Sequence, residues 1–294
     1  MSMVPSAGGE DELRGPTALR MILGTQLRRL REAANVSPDQ AGYEIRASRS
    51  KISRMELGRV GFRDRDVADL LTLYGVTDEQ MRARMLSLAR QANTPGWWSK
   101  YDDVLPGWFE GYLGLEGAAS FIRTFELQFV HGLFQTEAYA RAVTLLGHKT
   151  APAEEIDRRV SMRLKRQDVI TSPEPPQVWS VMDEAVLRRP VGGRVVMRAQ
   201  LEHLAEVARL AQVTIQVVPF ARGGHAAAGG SFTLLRFAEQ ELPDIVYIEQ
   251  LTSALYLDDR ADVDHYMEVM TELSNQALTP VRTSRFLTEI TRET

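Results

Sequence analysis

Cysteine is absent from the 294 residues, which excludes disulfides, thiol nucleophiles and cysteine-based zinc sites and fits a reducing compartment. Histidine is scarce. His131, His148, His203, His225 and His265 lie scattered, with no pair at metal-ligand spacing, so neither a metal nor another cofactor is expected. Lysine is scarcer still: with only Lys51, Lys100, Lys149 and Lys165, Arg supplies 31 of the 35 basic residues, a bias of coding composition more than of function. No apolar run approaches the roughly 20 residues of a membrane span. The opening MSMVPSAGGEDELRGP lacks the basic start and apolar middle of a signal peptide. A cytoplasmic protein with no membrane partner is the expectation.

Catalytic patterns are lacking too. GHAAAGGS, residues 224–231, copies the spacing of a phosphate loop, but Gly230 occupies the lysine position and a strand rather than a helix follows. Asp183 and Glu184 fall next to each other on an expected strand, where they face opposite ways and make a poor acid and base. His225, in the glycine-rich loop, is the best isolated candidate for contacting a ligand, yet no partner is visible in the sequence. No serine elbow occurs. The chain is not expected to be an enzyme.

What is present is an ordinary globular composition, 44% hydrophobic and 25% charged, long enough for two domains. The net charge of −4 hides an asymmetry. Residues 20–63 hold ten Lys or Arg against four acids, a local balance of +6, which leaves −10 to the rest. A basic module on an acidic body is the footprint of a nucleic-acid binder joined to a regulatory or partner domain.

Residues 1–18 read as a flexible tail. Leu19, Leu23, Leu27 and Leu30 then mark one stripe of a helix, with Arg28, Arg29 and Arg31 mainly outside it. Ser37, Pro38 and Gln40 form a capping-box start for a second helix running to about Ile45. Two residues later Ser48 caps a third. On that short helix Ile52 and Met55 fall on one side and Ser50, Ser53 and Arg54 on the other, Arg49 and Lys51 flank the outer face, and Gly58 ends it. The helix therefore sits on its neighbours through Ile52 and Met55 and offers donors outward. Double-stranded DNA fits such a face, since Arg pairs bidentately with guanine while Ser and Lys bond phosphates or base edges. VADLLTLYGV, residues 67–76, supplies a further helix, and 78–91 another.

The run from Leu23 to Val76 resembles the lambda-repressor-like helix-turn-helix domain of the XRE type. The resemblance implies that Pro38–Ile45 is the positioning helix and Ser48–Leu57 the recognition helix. Arg49, Ser50 and Arg54 match base-reading positions, Ser48 matches a phosphate contact, and Arg31 with Glu56 matches a structural ion pair. Gln40, Arg46, Lys51 and Ser53 complete the candidate DNA-contact set. Three positions depart from the pattern: Arg46 stands at a turn usually held by Gly, Ala41 and Gly42 replace Leu and Ala and imply a looser core, and Pro38 replaces a phosphate-contacting Gln.

Residues 92–114 concentrate Trp97, Trp98, Trp108, Tyr101, Phe109 and Tyr112, a density suited to a seam or a pocket wall. Beyond them, 115–294 read as an α+β domain. Helices are expected over 115–146 (broken near VHGLFQT), 152–169, 195–211, 262–277 and 284–292, and strands at QVWSVM, VTIQVVPF, SFTLLRF and DIVYIEQL. The fold class is thus an all-α N-terminal bundle, 19–91, followed by an α+β domain with a small sheet. YLGLEGAASFIRTFE, MDEAVLRRPVGG and GGHAAAGGSFTLLRF resemble the second domain of XRE-type regulators from GC-rich, differentiating bacteria. That resemblance implies control of development or secondary metabolism, often beside a small partner protein in an arrangement similar to toxin and antitoxin pairs. The expected partners are an operator, a second copy of the chain, and either a small protein encoded nearby or a small-molecule effector. The alternative function is an antitoxin-like interaction protein that neutralises its partner and autoregulates its operon.

Overall fold

The computed structural model describes residues 15–238 and 242–294, so residues 1–14 of the expected tail lie outside it. Residues 16–18 are already helical, with Ala18 buried. The chain divides into two compact units, one of residues up to 99 and the other of most residues from 100 onward. Residues 110–118 and the described part of 239–243 group with the first unit. Trp97 and Trp98 therefore belong to the first unit, and Tyr101, Trp108 and Phe109 to the second.

The first unit is helical. α1 (Pro16–Ala33) opens with a proline at its start and buries Leu19, Leu23 and Leu27. α2 (Pro38–Glu44) has the full capping box: the Ser37 hydroxyl accepts from the Gln40 amide at 3.2 Å and the Gln40 carbonyl accepts from the Ser37 amide at 2.8 Å. α3 (Arg49–Glu56) is capped by Ser48, whose hydroxyl accepts from the Lys51 amide at 3.2 Å. α4 (Asp64–Leu73) and α5 (Glu79–Ala92) complete a core in which Ile52 and Met55 meet Leu23, Leu27, Leu70 and Met85. α1 and α3 approach closely at Gly24, where a Cβ would stand 2.5 Å from the Met55 carbonyl oxygen.

The second unit holds a six-stranded sheet in the order β3-β2-β1-β4-β5-β6. β1 (Phe121–Glu126), β2 (Gln177–Asp183) and β3 (Val213–Val218) run parallel, and β4 (Phe232–Arg236), β5 (Ile245–Glu249) and β6 (Ala254–Leu257) complete it antiparallel. α7 (Glu137–Gly147) and α8 (Ala153–Arg166) lie between β1 and β2 in sequence, and α9 (Glu184–Arg188) and α10 (Arg194–Val207) between β2 and β3. α11 (Arg260–Gln276) buries Met270 and Leu273 against Phe125, Val181, Phe232 and Val246, while α12 (Pro280–Glu293) packs on α10 and β3. Polar groups inside this sheet are paired, as for Thr124 with Ser180 at 3.0 Å and Trp179 donating to Gln216 at 2.7 Å.

Four of the six strands coincide with the expected ones; β1 and β6 do not. The segment expected to be helical from Leu115 to Leu146 divides into the end of α6 (Gly107–Ala118), β1, a short 3-10 turn over Gly132–Phe134, and α7. Phe121, Ile122 and Phe125 have a spacing that a helix shares, and β1, central in its sheet, buries Ile122, Thr124 and Phe125 on both faces instead of alternating cleanly. β6 is four residues long, too short to show a period.

Candidate nucleic-acid interface

The hinge between α2 and α3 is built by backbone geometry. Arg46 takes φ +54°, its amide bonds the Tyr43 carbonyl at 3.1 Å, and the Ala47 amide bonds the Gly42 carbonyl at 2.7 Å. A left-handed arginine is strained by roughly 1–2 kcal/mol. Ala41 and Gly42, expected to loosen this region, do the opposite. Ala41 is fully buried, and a Cβ on Gly42 would stand 2.8 Å from the Ala47 carbonyl oxygen, so the small residues let the chain fold tightly back on α2. Gly58, at φ +65°, ends α3.

The angle of α3 is fixed by the ion pair that joins it to α1. Arg31 donates to Glu56 through Nε at 2.6 Å and a terminal nitrogen at 3.1 Å, and its other terminal nitrogen bonds the Val36 carbonyl at 2.9 Å. Both side chains are 9% exposed, which makes this a scaffold feature. Tyr74 lies beside it, and burial with the Glu56 charge pushes its phenol pKa up.

On this frame Arg46, Ser48, Arg49, Ser50, Ser53 and Arg54 are all exposed, with Ser50, Ser53 and Arg54 on the side of α3 opposite Ile52 and Met55 and Arg49 flanking it. Gln40 is exposed as well. Its carbonyl serves the cap, which leaves its amide nitrogen outward. Arg49 reaches Asp39 at 3.9 Å, with its side chain 70% exposed. Lys51 differs from its expected role. Its ammonium donates to Asp66 of α4 at 2.6 Å, and with Asp66 only 11% exposed this cation braces the bundle. Tyr43, which the sequence did not single out, is 87% exposed on α2. It carries no charge and breaks no spacing, so only its exposure reveals it.

In the second unit the adjacent acids are not on one strand. Asp183 ends β2 and caps α9 by accepting from the Ala185 amide at 2.8 Å. Glu184, buried, accepts from the Phe220 amide at 2.8 Å and from Arg188 at 2.5 Å. His225 has a neighbour after all: its Nε2 lies 3.9 Å from Asp183, and its ring meets Phe125 edge-on at 5.0 Å. A second polar group gathers near the end of β1. Burial pushes the Glu126 carboxyl up to about 8, against the opposing pull of Arg166 and a hydrogen bond from Ser231, with Glu249 adding to the rise. Arg166 stands 3.5 Å from His131, whose pKa burial and that cation hold well below the usual imidazole value. Gly132 makes room there, since a Cβ would meet the Arg166 guanidinium at 2.6 Å. Among the described residues no helix is long and apolar enough to cross a membrane.

Two helices joined by a tight left-handed turn, with the second presenting a basic outer face, define a helix-turn-helix module. Residues 22–85 match the family model of the helix-turn-helix domain, which supports DNA binding by this unit. Residues 109–289, more than half of the chain, match a domain of unknown function (DUF5753), and the chain belongs to that family. Neither a curated protein nor a solved structure matches it.

Proposed function

We propose that the chain is a sequence-specific transcriptional regulator of the XRE type that binds its operator as a twofold dimer and is itself no enzyme. Its C-terminal unit senses a partner protein or small molecule. The observation that carries the reading is the outer face of α3, where Arg49, Ser50 and Arg54 stand exposed on a helix locked by the Arg31–Glu56 pair. Rigid presentation matters because base edges are read by donors held in place. One such helix spans only a few base pairs, so useful affinity calls for two copies on half-sites about 10 base pairs apart. The balance of −10 outside residues 20–63 favours a basic partner protein over an acidic one.

Selection of bound duplexes from a random pool tests the reading directly. The expected result is a motif of two inverted half-sites about one DNA turn apart, with light scattering giving two chains per duplex. Recovery of no motif would overturn sequence-specific binding. A monomer on a single half-site would overturn the dimer alone.

A further inference from the structure

Tyr43 is a large exposed side chain near the reading face with no role in the function proposed above. A lone exposed aromatic residue means little by itself; its position decides. Asp39, one turn earlier on α2, reaches Arg49 at 3.9 Å, so that side of α2 borders the reading face of α3. Tyr43 stands four residues after Asp39 and shares that side. Helical side chains lean toward the N-terminus, the direction of the Asp39 turn. In a helix-turn-helix module the first helix crosses the sugar-phosphate backbone while the second enters the groove.

The donors that α2 can offer the backbone are few. Pro38 has none; the Ser37 hydroxyl and the Gln40 carbonyl accept in the capping box, which leaves the Ser37 O–H and the Gln40 amide nitrogen as donors at the start of the helix. Asp39 is an acid that phosphate repels. Beyond that first turn, the phenol of Tyr43 is the donor on this side.

We infer that Tyr43 is a DNA-backbone contact: its hydroxyl donates to a phosphate oxygen at the rim of the groove, and its ring covers the adjoining deoxyribose. The inference rests on the DNA-binding reading above. Such a contact sets how deeply and at what angle α3 docks, and it carries no sequence information. Being neutral, the phenol displaces no counterion, so it adds affinity without adding to the salt dependence.

The full chain and its Tyr43→Phe variant, which removes only the hydroxyl from a solvent-facing position, separate the possibilities. Titration is done on the duplex selected by the wild type, on a scrambled duplex, and on the selected duplex with single phosphates replaced by neutral methylphosphonates. Loss of a hydrogen bond to a charged group predicts about tenfold weaker binding to both natural duplexes. The salt slope and the selected motif should be unchanged. One methylphosphonate position should weaken the wild type and leave Tyr43→Phe unaffected. Equal affinity of the two proteins, or identical methylphosphonate profiles, would overturn the backbone contact while the DNA-binding reading stood. A loss confined to the selected duplex would overturn it in favour of base reading. A wild type that holds no duplex would overturn the DNA-binding reading itself, and this inference with it.

Discussion

At the scale of single residues, the cations of α3 divide into two that the proposed function assigns to base edges and one that is paired within the bundle. Arg49 and Arg54 are exposed, and in the proposed function they reach base edges, so Ala at either position should cost about 1–3 kcal/mol on the selected operator and relax discrimination at one base pair. Competition titrations against single-base variants of the operator measure it, and unchanged binding curves would remove that residue from the reading set. Lys51 is a brace. Removing it strands Asp66 in a nearly buried position, so Lys51→Ala should lower the stability of the first unit by about 1–3 kcal/mol. The salt slope of DNA binding should stay as it was. Denaturant unfolding beside salt-dependent titration separates this from a phosphate contact, which would give the reverse pattern. The outward placement of Ser50, Ser53 and Arg54 was legible from helical spacing. The brace was not, because its partner lies fifteen residues on, in another helix, and no local pattern announces it.

At the scale of elements, the α2–α3 turn keeps a residue that its backbone disfavours. Arg46 at φ +54° is exposed beside the recognition helix, which fits strain retained where the side chain meets a ligand. Arg46→Gly should therefore raise stability by about 0.5–1 kcal/mol. It should also weaken all duplexes alike and reduce the salt slope by about one. A stability gain with unchanged DNA affinity would make the arginine incidental. The helices of this unit could be read from the sequence by start signals, such as Ser37 and Ser48, and by apolar stripes, such as that of α1. The sheet was less legible. β1 is buried on both sides and loses the alternation that marks a half-exposed strand, whereas β3 and β5 are betrayed by β-branched runs such as VTIQVV and β2 and β4 by short apolar runs between turn residues.

At the scale of the whole molecule, the polar group beside the parallel strands ties stability to pH. His131 is held below its usual pKa, so its contribution grows as pH rises and is complete once the unfolded imidazole is also neutral, above about pH 6.5. Glu126 is held above its usual value. The fold keeps that proton until about pH 8 while the unfolded chain has already released it, so stability falls as pH rises toward 8. The two opposing slopes overlap below about pH 6.5, and the fall belongs to Glu126 alone between there and about 8. Unfolding measured across that interval should show a decline that Glu126→Gln flattens; an identical decline in the variant would assign it to other groups. The order of the strands has a consequence during synthesis. β1 leaves the ribosome first among its sheet, yet it pairs with β2, more than fifty residues later, and with β4, more than a hundred later. The core residues of the helix-turn-helix unit, by contrast, are all made by Ala92. A nascent chain can thus complete its DNA-reading module while the apolar strand that anchors the other unit still waits in solution for its neighbours, and it is that waiting strand which most needs shelter from aggregation.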